Sequence, residues 1–244
     1  MEKQKSSRKE RVIVHGLING FLVVLTLIIT LMCGLFETEK AIETYKAYNG
    51  VIYAGNEKSN KVALMINVYW GTEFIEPILE ILEKHEVKAS FFVGKVWVEN
   101  NQELFKKIVD GGHEIGNHGS NHKEHGKLSY QKNLEEIEGC SKVVESVSGI
   151  KMDLFAPPGG SYNEDTVKSA EALGYKTILW TKDTIDWRDQ DSSLIYERAT
   201  QNVSSGDLIL MHPTRCTLEA LEKIILEIKS KKLALDSVSN TIKD

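Results

Sequence analysis

Beyond residue 60 the chain alternates short apolar runs with longer stretches of helical period. The run at 62–68 (VALMINV) is almost unbroken, which predicts a strand buried on both faces. Phe74, Ile78, Ile81 and Leu82 then share one stripe of a helix over 74–84. A second strand is expected at 88–94. The helix expected at 99–111 carries Leu104, Phe105, Ile108 and Val109 inward, and Gly111 and Gly112 stop it. A third strand, 113–117, leads into an amphipathic helix at 129–148 with Ser129 as its cap. After a strand at 152–156 comes the rigid turn Pro157-Pro158-Gly159-Gly160. The rest reads as helix 164–173 capped by Asn163, strand 176–181, helix near 193–203, strand 207–211, helix 218–231 and a closing strand at 233–238. Such alternation implies a parallel sheet with right-handed crossovers. About seven units without a glycine-rich dinucleotide fingerprint favour a distorted (β/α)7 TIM-like barrel over an open doubly wound sheet.

The N-terminal pattern is different. Residues 12–36 contain no Asp, Glu, Lys or Arg, a run long enough to cross a bilayer as a helix. A basic tail (1–11) precedes it, and Glu37, Glu39, Lys40 and Glu43 follow. That asymmetry keeps the basic side cytoplasmic and places the rest outside the cell membrane, on a single-pass anchor. A cleaved signal peptide fits less well, because the run exceeds a usual signal core and no A-x-A-like site follows. A lipoprotein signal at Cys33 has Met32 where a small residue is expected. Residues 37–60 read as a linker, with an edge strand drawn from Tyr45, Tyr48, Val51, Ile52 and Tyr53; the catalytic-type domain is expected over 61–244.

Composition narrows the partners. A net charge of -5 gives no basic field for nucleic acid. Cys33, Cys140 and Cys216 have no metal-binding spacing and imply no disulfide framework, although a Cys140–Cys216 bridge stays open.

Polar residues gather at the carboxyl ends of the expected strands: Asn67, then His118 and His122, then Asp183 and Asp186 with Trp187, then His212. In a barrel these ends converge on one face. If the chain turns helical after the third strand, His118 and His122 face one cation together. The plainer alternative is a pair of loop histidines that cap and solvate.

In this order, the segments Asn67–Glu73 (NVYWGTE), His118–His122 (HGSNH), Phe155–Gly159 (FAPPG), Asp183–Trp187 (DTIDW) and Leu208–His212 (LILMH) resemble those of the NodB-homology polysaccharide deacetylases, carbohydrate esterase family 4, in a membrane-anchored, sporulation-associated branch. The resemblance covers nearly the whole region after the anchor. It implies hydrolysis of linear amide C–N bonds in the N-acetyl groups of a glycan such as peptidoglycan or another N-acetylglucosamine polymer. It also implies a divalent metal, usually zinc, held by an Asp and two His, here His118 and His122. The metal would polarise the acetyl carbonyl and acidify a bound water. His212 would be the general acid, oriented by Asp186. Pro157, Pro158, Gly159, Trp70 and Trp187 fall where substrate is bound, and Trp97 is a further candidate for sugar stacking, whereas Trp180 reads as core.

Two departures touch the base. Asn67 stands where the family has its catalytic Asp, and an amide does not take and release a proton near neutral pH. The metal-binding Asp has no direct counterpart, which leaves Glu73 as the candidate third ligand. Ala156 stands where an Arg usually holds the base. Base and partner are lost together, as expected if an Arg without its carboxylate would be a buried unpaired charge. Three readings follow: a metal-dependent hydrolase with an altered base, an inactive glycan-binding module, and a membrane-tethered envelope scaffold.

Overall fold

The computed structural model describes residues 24–26 and 50–243. The anchor expected at 12–36 therefore lies outside the described residues apart from the helical 24–26, as do Tyr45 and Tyr48. Among the described residues no helix is long and apolar enough to cross a membrane. Met1–Asn49 and Gly50–Asp244 are separate units, and the account below concerns the second.

Among the described residues nine strands form its sheet: β1 (Val51–Ile52), β2 (Lys61–Val68), β3 (Ser90–Val93), β4 (Glu114–Asn117), β5 (Leu154–Phe155), β6 (Lys176–Ile178), β7 (Lys182–Asp183), β8 (Leu208–Met211) and β9 (Ala234–Asp236). The helices are α1 (Ile75–Lys84), α2 (Lys95–Asn100), α3 (Gln102–Asp110), α4 (Tyr130–Ser148), α5 (Glu164–Ala172), α6 (Ser192–Thr200), α7 (Arg215–Ser230) and α8 (Val238–Thr241). The strand order is β1-β6-β5-β4-β3-β2-β8-β7, all parallel, with β9 against the start of β2. The path is that of a half-barrel of parallel strands, consistent with the expected distorted (β/α)7 barrel: β1 and β7 end it, and no pairing between them joins the described residues.

The unbroken apolar run of β2 is explained by its position. It pairs with β3 on one side and β8 on the other, and every residue after Lys61 is buried. Ile75, Ile78 and Leu82 of α1 pack outside it with Leu221, Ile224 and Ile228 of α7. Inside, Ala63, Met65, Phe92, Leu154 and Ile178 form a smaller apolar cluster. Gly116 is required by this packing, because a Cβ there would lie 2.4 Å from a ring carbon of Phe92.

Three local expectations differ from the structure. The helix foreseen at 99–111 is two helices, broken at Asn101, whose amide donates to the Trp97 carbonyl at 2.8 Å and closes α2. Helix α7 starts earlier, at Arg215, because the Thr214 hydroxyl accepts from the Thr217 N–H. The segment 118–122 is not helical: Gly119 and His122 adopt positive φ angles of 78° and 52°. Val51–Ile52 does form an edge strand, paired to β6. Cys140 and Cys216 are both free thiols.

Candidate functional site

The carboxyl ends of β2, β4, β7 and β8 deliver their polar residues to one cleft of about 520 Å³. Asn67, Trp70, His118, His122, Gly159, Trp187 and His212 all line it, so most of the residues singled out from the sequence meet there. Pro157 and Pro158 instead build the turn that presents Gly159. Trp180 and Asp183 complete the wall; Trp180, taken as core from sequence, is half-buried and faces the cleft as well as the inner cluster. Trp97 corrects in the other direction. It is a core residue whose indole N–H donates to the Gly71 carbonyl at 2.8 Å, so it supplies no sugar platform.

The histidine loop is held from several sides. His118 follows β4 directly, and its backbone N–H donates to the Val93 carbonyl. The Asn117 side chain accepts from the Gly119 N–H at 2.8 Å and donates to the Ile137 carbonyl at 2.9 Å. His118 Nδ1–H donates to the Ala156 carbonyl at 2.7 Å, which fixes the ring and leaves Nε2 as its free nitrogen. Burial, with the neighbouring His122 adding to it, pushes the His118 pKa down to about 3. The His122 ring lies 5.2 Å from it, centroid to centroid, and burial lowers its pKa too. A helix was not needed to bring the two imidazoles together. The left-handed turn does so, with His122 packed on Tyr69 at 4.6 Å.

Below this loop α4 carries a polar pair that the sequence reading passed over. Glu136 accepts from the backbone N–H groups of Ser120 (3.2 Å) and Asn121 (2.8 Å), from the Asn121 amide, and from the Lys123 ammonium at 2.9 Å. Asn133 meets His125 Nδ1 at 2.6 Å. Both polar residues lie on the buried stripe that continues through Ile137, Cys140 and Val144. Polar residues in an apolar register were the available signal.

The opposite wall is a satisfied pair. Asp186, 2% exposed, accepts from His212 Nδ1–H at 2.7 Å, from the His212 backbone N–H at 2.6 Å and from the Thr217 hydroxyl. His212 Nε2 is left as the free ring nitrogen. Trp70 stacks on the His212 ring at 5.4 Å and 18°, and meets His122 edge-on at 5.9 Å.

The base position is the weak place. Asn67 is 3% exposed, and its Oδ1 has no hydrogen-bond partner. Glu73 is not brought to the histidines. It lines two neighbouring depressions, one with Thr72, Glu76 and Glu103, the other with Phe74, Gln190 and Arg215. Glu73 follows the Trp70-Gly71 turn, pinned by Trp97, and does not line the cleft, although the second depression shares Trp70 and Trp187 with it. Among the described residues no trio of His, Cys, Asp or Glu is arranged to hold a metal ion. Catalytic zinc sites are built on three protein ligands, and two imidazoles beside an amide do not fit that demand.

The family model described as polysaccharide deacetylase matches residues 54–178. Over 188 residues the chain is 43% identical to the uncharacterized protein YlxY of Bacillus subtilis, covering 77% of this chain and 59% of that one, so it spans less than two thirds of that relative. It is 33% identical to a peptidoglycan-N-acetylglucosamine deacetylase of Bacillus cereus, over 68% of this chain and 80% of the relative. The solved structure of BA3943, a CE4 family pseudoenzyme of Bacillus anthracis, superposes with a TM-score of 0.78 at 36% identity, covering 80% of this chain and 70% of that one. A BA3943 mutant with restored enzymatic activity superposes with the same TM-score of 0.78 at 34% identity, over 80% and 72% of the two chains.

Proposed function

Because the chain belongs to the polysaccharide deacetylase family, we propose that its cleft binds the glycan strands of peptidoglycan without hydrolysing their N-acetyl groups. One observation carries this reading. The only polar side chain that β2 sends to the cleft is Asn67, with an unpartnered Oδ1, where the resemblance expects a carboxylate base. An amide cannot accept the proton of an attacking water, and loss of a general base costs about 10²–10⁴-fold in rate. A divalent cation, where the family holds one, supplies Lewis acidity and an acidified water. Among the described residues no carboxylate joins the two imidazoles in a trio that could hold such an ion, so no catalytic step is routed through a metal. His212, oriented by Asp186, retains the form of a general acid. With no base to generate a nucleophile, it has nothing to act on. The peptidoglycan assignment draws on the Bacillus cereus relative, and the loss of turnover on the likeness to a pseudoenzyme.

The test uses the full-length chain in nonionic detergent. The native protein is expected to be retained on peptidoglycan and to be silent on N-acetylglucosamine oligomers, while Asn67→Asp with Ala156→Arg gains measurable acetate release. Turnover by the native protein at the rate of an ordinary family member overturns the reading, as does failure to bind peptidoglycan. We further propose that the apolar run at 12–36 tethers the domain outside the membrane. Protease added to intact protoplasts should remove the domain, and protection would refute the tether.

A further inference from the structure

Trp187 walls both the cleft and the depression beside it, with 56% of its surface exposed. An indole held so far into solvent stacks well on a sugar ring only if it is already fixed, because immobilising a free side chain on binding subtracts from affinity. Its loop is anchored on the near side. The Asp186 carboxylate takes the His212 and Thr217 donors, and the Thr184 hydroxyl donates to the Leu210 carbonyl at 2.9 Å. Between them Ile185 has a φ of 54°, which a β-branched residue adopts only where its surroundings hold it.

The far side is held by one guanidinium. Arg198, on α6, donates from Nη1 to the Thr184 carbonyl at 2.9 Å and from Nη2 to the Asp189 carboxylate at 2.6 Å. A single planar group thus spans the loop from Thr184 to Asp189, with Trp187 between its two contacts. Asp189 also accepts from Arg188 Nε and Nη2 at 2.8 and 2.9 Å, and the Arg188 guanidinium lies 5.9 Å from the centre of the Trp187 ring. The Arg198 and Asp189 side chains are 27% and 23% exposed, so water screens this pair less than a fully solvated one. Arg198 lies beyond the residues matched by the family model and in none of the five segments that carry the resemblance.

We propose that Arg198 is a positioning residue of the glycan site: its guanidinium staples residues 184–189 and so sets Trp187 as a fixed stacking wall. This rests on the glycan-binding reading above and adds a determinant of affinity that touches no sugar.

The experiment is a double-mutant cycle on the full-length protein, read by calorimetric titration with an N-acetylglucosamine pentamer. Arg198→Gln should weaken binding by about fivefold or more. Asp189→Asn opens the same staple from the loop side, should act in the same sense, and carries the cycle if Arg198→Gln does not fold. In a Trp187→Ala background either change should alter affinity by less than about twofold, because the wall it positions has gone. The second readout is the nanosecond anisotropy decay of Trp187, isolated as the difference from the Trp187→Ala protein; loss of either staple partner should add a fast component. An effect on affinity that persists undiminished without Trp187 is a general structural one and overturns the proposal, as does native affinity in both Arg198→Gln and Asp189→Asn. If the native protein does not bind the pentamer, the glycan-binding reading falls, and the anisotropy decay alone decides whether Arg198 fixes Trp187: an unchanged decay removes the staple too.

Discussion

Glu136 lets the histidine loop be loosened without touching either histidine. Its carboxylate, 5% exposed, receives two backbone N–H groups, one side-chain amide and one ammonium from residues 120–123. In Glu136→Ala the exposed Asn121 and Lys123 donors turn to water at little cost. The buried Ser120 N–H loses this partner, which costs about 1–3 kcal/mol, and the vacated carboxylate leaves a small void. The sum is roughly 2–4 kcal/mol, a fall in Tm of roughly 5–15 °C for a domain of this size. Thermal unfolding measures the first effect, and hydrogen exchange at 118–123 should show the amides opening faster. Glu136→Gln keeps the volume and separates charge from packing. Burial by itself would raise the Glu136 pKa, but the bonds from Asn121 and Lys123 outweigh it and the net shift is downward. The folded-state value is depressed, so this stability is present above the unfolded value, about 4.3, and is lost as pH falls through the folded one. Glu136→Gln should therefore flatten part of the acid limb of the stability profile. A Glu136→Ala protein melting within about 2 °C of the native one, with unchanged exchange at the loop, would refute the clamp.

Asp186→Asn should destabilise the domain by about 2–4 kcal/mol, because three donors converge on that buried carboxylate; chemical denaturation measures it, and a change under about 1 kcal/mol would contradict the pairing. Gly116→Ala drives a methyl into Phe92 and should cost about 1–3 kcal/mol by the same method. His113 accepts the Ala89 N–H on Nδ1, and burial, with Lys88 adding to it, lowers its pKa to about 4. Between its unfolded value near 6.5 and about 4 the unfolded chain binds the extra proton, so stability falls as pH drops through that window. His113→Asn, which keeps an acceptor, should recover about 1–2 kcal/mol of the loss between pH values near 7 and 5, and an unchanged pH profile would sink this assignment.

Local pattern determined much of this protein. The unbroken run of β2, the helical stripes and the glycine stops follow from the backbone's two periodicities, which neighbouring residues suffice to express. The strand-end polar residues were legible for the same reason: a strand's end marks the sheet edge at which Asn67, His118 and His212 emerge. Tertiary structure alone decided what those residues meet. Whether Trp97 or Trp180 faced the cleft depended on which side of the sheet each packed against. Glu73 lies five residues beyond the end of β2, yet it does not line the cleft that Asn67 of the same strand enters. The Glu136 clamp joins α4 to a loop before it in the chain, and the unpartnered oxygen of Asn67 is a property of everything around it. Periodicity states which face of an element turns inward, whereas coordination, orphaned acceptors and an open or closed barrel arise from contacts between segments distant in sequence, which no local spacing records.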